Sequence, residues 1–177
     1  MKFQKLQNHE LTRKNPEDFK NTPKIPVTIV LDNIRSLHNI GSVFRTADAF
    51  LVEHIYLCGI TATPPHKDIQ KTALGATQTV SWSHHQDTLT LIKELQEQKH
   101  TILAIEQTVD SISLEKFPVN PKENYVLVFG NEVKGVTQQV VSQSNAVIEI
   151  PQLGTKHSLN IANSMSIVAW EFFKQLQ

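Results

Sequence analysis

Short β-rich runs alternate with helical patterns along most of this chain, and that alternation constrains its fold more than any other feature. Val27–Leu31, His54–Leu57, Thr101–Ile105, Tyr125–Phe129 and Ala146–Ile150 read as strands, the last stopped by Pro151. Thr79–Trp82 reads as a short strand or an extended segment. Between them, Asn39 caps a helix reaching Phe50, with Ile40, Val43, Phe44 and Ala47 on its apolar face. Asp87 caps a helix over Thr88–Gln98, and Thr137–Ser142 is helical. A last helix from Leu159 to Gln175 carries Ile161, Met165, Val168, Phe172 and Leu176 as one stripe. Glu106–Glu123 reads as loop with a helical turn at Leu114–Phe117, and His84-His85 as surface loop. The pattern implies an α/β fold: a mostly parallel sheet with helices on both faces. Ligands of such sheets sit beyond the carboxyl ends of the strands, which directs attention to the residues after Leu31, Ile105, Phe129 and Ile150.

Composition narrows the class. A chain of 177 residues with 40% hydrophobic and 19% charged residues is one globular domain rather than a disordered tract or coiled coil. No apolar run reaches bilayer length and no hydrophobic segment follows the first lysines, so no membrane association and a cytoplasmic location are expected. Cys58 is the single cysteine, which excludes an intrachain disulfide and a thiolate zinc site, and the histidines show no metal spacing. Net charge is zero, so the whole-chain field is neutral about nucleic acid. Its distribution is not: residues 1–26 hold Lys2, Lys5, Arg13, Lys14, Lys20 and Lys24 against Glu10, Glu17 and Asp18. A basic arm of this kind can track phosphates, although charge alone describes a solvated terminus equally well. Residues 1–26 are read as a short basic N-terminal extension and 27–177 as the main domain.

Three strand ends carry dense, small and polar sequence. The first runs from Asp32 through Asn39 and Gly41 to Arg45, and Asn39 by itself reads as a helix cap. The second is Phe129-Gly130-Asn131-Glu132-Val133-Lys134-Gly135-Val136. Its Gly-x-x-x-x-Gly spacing is that of a phosphate loop, but Val136 and Thr137 stand where Lys and Ser/Thr would be required. A tight strand–helix turn and a ligand-binding loop fit this segment about equally, since the glycines permit close backbone approach. The third runs from Ile150-Pro151 through Gly154 to Ser158-Leu159-Asn160, where Ser158 taken alone reads as an N-cap.

Together, in order and spacing, these segments resemble the three motifs of the SpoU (TrmH-like) branch of the SPOUT RNA methyltransferases. The resemblance covers Val27 to the C-terminus, and Lys71-Thr72-Ala73-Leu74-Gly75-Ala76 is also similar to a segment common in that branch. It implies a C-terminal trefoil knot, which alternation alone would not suggest because knots are rare. It further implies a homodimer with the site near the subunit interface, S-adenosylmethionine as methyl donor without a metal, and tRNA or rRNA as substrate. The donor would lie against Ala104, Ile105, Glu106, Phe129, Gly130, Asn131, Gly135, Ile150, Leu153, Ser158 and Leu159. Arg45, Asn39, Glu132 and Ser158 would face the transfer site, with Asn160 ordering it. Two departures accompany it: Leu51 stands where many relatives have glycine, and only the basic arm precedes the domain, leaving RNA choice to the arm, the domain surface and the dimer.

Transfer to a ribose 2′-hydroxyl needs the oxygen in line with the S–CH3 bond, and positioning supplies much of the rate. Arg45 as a general base conflicts with a guanidinium that stays charged. An orienting role toward phosphate or a developing alkoxide suits it better, with the proton leaving through water, substrate phosphate or, indirectly, Glu132. Rival readings are a non-catalytic RNA-binding module on the same fold, a nucleotide hydrolase using the Gly130–Gly135 loop, and methylation of a base atom. The missing lysine opposes the second, and the motif set favours ribose over base.

Overall fold

The computed structural model describes residues 3–177, so Lys2 of the basic arm lies outside the described residues. In chain order the elements are α1 (Pro16–Asn21), β1 (Ile25–Asp32), α2 (Leu37–Ala49), β2 (Val52–Cys58), α3 (Lys67–Ala73), β3 (Ser81–His85), α4 (Thr88–Glu97), β4 (Thr101–Ile105), β5 (Ile112–Ser113), β6 (Tyr125–Phe129), α5 (Gln138–Gln143), β7 (Ala146–Glu149) and α6 (Ile161–Leu176). The strands form one parallel sheet in the order β3-β2-β1-β6-β4-β7-β5.

Side chains alternate across a strand, so each central strand feeds two cores. Ile29, Leu31, Leu127 and Phe129 pack beneath α2 and α6, with α3 and Phe19 of α1 alongside. Val30, Val126, Val128, Ile102 and Ala104 pack beneath α4 and α5. β1 leads through α2 on the first face toward β2, whereas β6 leads through α5 on the opposite face toward β7. These two strands are neighbours, with Leu31 opposite Phe129. The loops that follow them therefore diverge and open a crevice, the usual ligand position in a doubly wound sheet.

Asp32, 1% exposed at the end of β1, fastens that crevice. One carboxylate oxygen accepts from the Thr88 hydroxyl at 2.6 Å and the Asn33 amide at 2.8 Å, and the other from the Thr137 N–H at 3.3 Å. A buried carboxylate is tolerated when its oxygens are bonded in this way, and these bonds tie the starts of α4 and α5 to β1. From β7 the chain must return across the ends of β4 and β6, because α6 packs on α2 and β1.

Several elements differ from their sequence reading. Ser36, not Asn39, caps α2, its hydroxyl accepting from the Asn39 N–H at 3.3 Å. Asn160 rather than Ser158 caps α6, which begins at Ile161. Thr79 closes a 3-10 turn over Ala76–Gln78, and the strand starts two residues later. His84 and His85 end that strand, where the His85 ring meets Tyr56 edge-on at 5.0 Å. The short helices α1 and α3 lack the long apolar periodicity that reveals a helix, and the two-residue β5 is below the length any pattern resolves. Leu51 takes φ +56° itself and joins the start of β1 by accepting the Ile25 N–H at 2.9 Å, so the turn keeps the left-handed backbone that glycine would supply.

Phe172 on the inner stripe of α6 is fully buried against Tyr125, their rings 5.2 Å apart. Phe172→Ala is expected to lower the unfolding free energy by about 3–5 kcal/mol in urea denaturation. A loss under about 1 kcal/mol would contradict this packing of α6.

Candidate active site

Three segments separated by up to 121 positions meet at the mouth of the crevice. Asn131 builds the first part. Its backbone exchanges two hydrogen bonds with Gly135 at 3.0 and 2.8 Å. Its side-chain oxygen accepts from Val133 and Lys134 N–H at 2.9 and 3.2 Å, and its amide donates to the Asn33 carbonyl at 2.7 Å. The loop between the two glycines is thus closed on itself and hung from the end of β1. A Cβ on Gly130 would fall 2.0 Å from the Gly135 carbonyl carbon, so that position admits glycine alone.

This loop aims Glu132 at the start of α2. One of its oxygens accepts from the Arg35 N–H at 3.0 Å, and the other from the Ser36 N–H at 3.0 Å and the Asn39 amide at 3.2 Å. Because Ser36 supplies the cap, the Asn39 side chain is free to bridge: its oxygen accepts from the Asn160 amide at 3.1 Å. Asn160 in turn caps α6 through the Ala162 N–H at 2.9 Å. Glu132, Asn39 and Asn160 therefore form one chain of hydrogen bonds joining β6, α2 and α6. Partial burial pushes the Glu132 carboxyl upward, but the donors from Arg35, its own backbone, Ser36 and Asn39 outweigh burial and hold it below its ordinary value.

Beneath this network lies a cleft of about 680 Å³, within the range that holds a nucleoside-sized ligand. Its walls include Ile105, Glu106, Phe129, Gly130, Asn131, Glu132, Gly135, Ile150, Ser158, Leu159 and Asn160, all singled out in the sequence. The remaining four expected residues lie elsewhere. Ala104 is buried in the second core, and Leu153 is fully exposed outside the cleft. Asn39 stands behind Glu132. Arg45 is exposed about 9 Å further along α2, and its side chain has no hydrogen bond or ion pair among the described residues. Glu149, Gln152 and His157 also line the cleft and were missed. Glu149 was visible only as the residue before a strand end already selected. Cys58 is excluded as a nucleophile, since burial pushes its thiol up to about 12.

The lining fits the expected methyl donor: Ile150 and Leu159 offer apolar surface, and Glu106, Glu132 and Glu149 make the lining acidic. A carboxylate whose native value is depressed stabilises the fold above its unfolded value and ceases to do so as pH falls through the native one. The wild-type advantage over Glu132→Gln in unfolding free energy should therefore be flat near neutrality and shrink below the ordinary value of 4.5. Urea titrations across pH check this, and an advantage already fading near pH 6 would contradict it.

The model of the SpoU rRNA Methylase family matches residues 26–170. A 23S rRNA (guanosine-2′-O-)-methyltransferase, RlmB, of Neisseria meningitidis is 26% identical over 89% of this chain and 62% of its own length. A tRNA (guanosine(18)-2′-O)-methyltransferase of Thermus thermophilus is 25% identical over 94% of this chain and 84% of its own. Among solved structures, an AdoMet-bound rRNA methyltransferase from Sinorhizobium meliloti superposes with a TM-score of 0.81 at 24% identity, over 90% of this chain and 60% of that one. The chain thus spans less than two thirds of the Neisseria and Sinorhizobium proteins.

Proposed function

The chain belongs to the SpoU rRNA methylase family, and on that premise we propose that it transfers a methyl group from S-adenosylmethionine to a ribose 2′-hydroxyl in tRNA or rRNA. The observation that carries this reading is the convergence of three distant segments on the ionised Glu132 above a cleft of nucleoside size. The names of the Neisseria and Thermus relatives support the ribose acceptor over a base atom. When bound, the donor supplies a methyl group activated by its sulfonium.

The chain's own groups do the rest by placement. Ile150 and Leu159 would hold the donor's ring, and the hydrogen-bonded Asn131–Gly135 loop would give it a rigid backbone wall. Glu132 organises the approach: with both oxygens occupied and its carboxyl held low, it is a poor proton acceptor and a good anchor for α2. Asn39 and Asn160 lock that anchor, and Ser158, exposed on the wall of the same cleft, would meet the acceptor ribose. Arg45, exposed and unpaired among the described residues, suits an RNA phosphate or the alkoxide forming as the hydroxyl loses its proton. The proton then passes to water or substrate phosphate.

The same reading includes a homodimer, the C-terminal knot, a cytoplasmic location and the division into a basic extension over 1–26 and the catalytic domain. Supporting the dimer, Trp170 is 51% exposed and Ile167 42% exposed on the outer side of α6, the helix beside the one bearing Arg45. Arg45 also lies outside the cleft of its own chain. Supporting the knot, residues 150–160 cross the ends of β4 and β6 before α6 begins.

Labelled methyl from S-adenosylmethionine, incubated with RNA from cells lacking this protein, should enter one RNA and be recovered as a 2′-O-methyl nucleoside. Arg45→Ala should lower kcat/KM by about 100-fold or more, and Arg45→Lys by less but still measurably, since lysine lacks the bidentate fork. Donor binding without RNA labelling would overturn the catalytic reading in favour of an RNA-binding module.

A further inference from the structure

The end of β4 carries two residues whose side chains hold both walls of the cleft. The Glu106 carboxylate accepts the Val136 N–H at 3.1 Å on one oxygen and the Gln107 N–H at 2.9 Å on the other. The first of these oxygens occupies the space beside Gly135: a Cβ there would fall 2.1 Å from it, and the backbone has φ +67°. Glycine at 135 thus answers a steric demand made by Glu106 as well as a conformational one. Gln107 reaches the other way, its amide donating to the His157 carbonyl at 3.0 Å. Among the described residues this is the one hydrogen bond that ties residues 151–159 to the rest of the chain, and most of that segment is exposed.

We propose that Glu106 and Gln107 are a positioning pair, which sets the spacing between the Asn131–Val136 loop and the 151–159 strap and acts on the bound donor through those segments. The inference rests on the methyltransferase reading in taking the donor as the ligand of the cleft. It revises the role that family resemblance gave Glu106, which was contact with the donor. Both carboxylate oxygens are already engaged by backbone N–H groups, an arrangement that neither glutamine nor alanine reproduces. In Glu106→Gln the side-chain NH2 faces one of those N–H groups, so one bond is lost with almost no change in volume. Gln107 is exposed, so Gln107→Ala removes its bond without disturbing the core.

The test reads amide hydrogen exchange in the ligand-free full chain, and then affinity for S-adenosylhomocysteine by calorimetry. Glu106→Gln should raise exchange about tenfold over residues 131–136, and Gln107→Ala over 153–159, as expected for one hydrogen bond. Each should weaken S-adenosylhomocysteine about tenfold, and the loss should appear in KM for S-adenosylmethionine rather than in kcat. If exchange in Glu106→Gln matches wild type while affinity falls, Glu106 touches the ligand directly and the positioning role is overturned. If exchange rises in both variants but affinity is unchanged, the clamp has no hold on the ligand and the proposal fails. Should the wild-type chain bind no S-adenosylhomocysteine, the methyltransferase reading itself falls, whereas unchanged ligand-free exchange in both variants would overturn the clamp by itself.

Discussion

A parallel strand cannot reach its parallel neighbour without crossing a face of the sheet, and the rest of this structure follows from where those crossings part. β1 and β6 lie side by side, but one sends its chain beneath α2 and the other beneath α5. The carboxyl ends of these two strands are therefore left without a covering connection between them. Asp32 sits at that parting and is fully bonded there by Thr88, Asn33 and the Thr137 N–H. Its bonds hold helices from the α4/α5 layer to the strand that feeds α2. A crevice produced by topology is in this way kept at fixed width by one buried carboxylate.

What fills the rim of the crevice is a sequence of polar groups each spent on the next. Ser36 caps α2, which leaves the Asn39 side chain unoccupied by the helix end. Asn39 can then bridge Glu132 and Asn160, and Asn160 caps α6 in turn. The ionisable member of the chain accepts from backbone N–H groups, so it is charged across the physiological range and has little reason to take a proton. Chemistry at such a site depends on geometry more than on acid–base strength, which agrees with a methyl donor that is already activated.

Much of this was legible in the chain. Continuous β-rich runs and helical patterns gave β1, β4, β6, α4 and α6 within about two residues, and of the four strand ends the ligand rule pointed to, those after Ile105, Phe129 and Ile150 line the cleft while the one after Leu31 does not. The resemblance to a known family then named Glu132, Gly130, Ile150 and Leu159, all of which line it. What misled was local chemistry with two equivalent solutions. Ser36 and Asn39 are both good caps, and Ser158 and Asn160 likewise; only the neighbouring elements decide which is used. At 51 a leucine takes φ +56° and its carbonyl accepts the Ile25 N–H, a pairing across the fold that no residue near it in the sequence reveals.

The sequence by itself determined the class of fold, the places where a ligand could sit and the residue types waiting there, because burial periodicity and backbone preference are local properties. Only the tertiary structure decided the pairings: that Glu132 meets Asn39 and Arg35, that Glu106 holds Val136, that Gln107 reaches His157, and that Arg45 stands apart from the cleft. Hydrogen bonds between segments thirty to a hundred residues apart depend on the order in which strands assemble. That order is set by the packing of two whole layers, which no window of sequence contains.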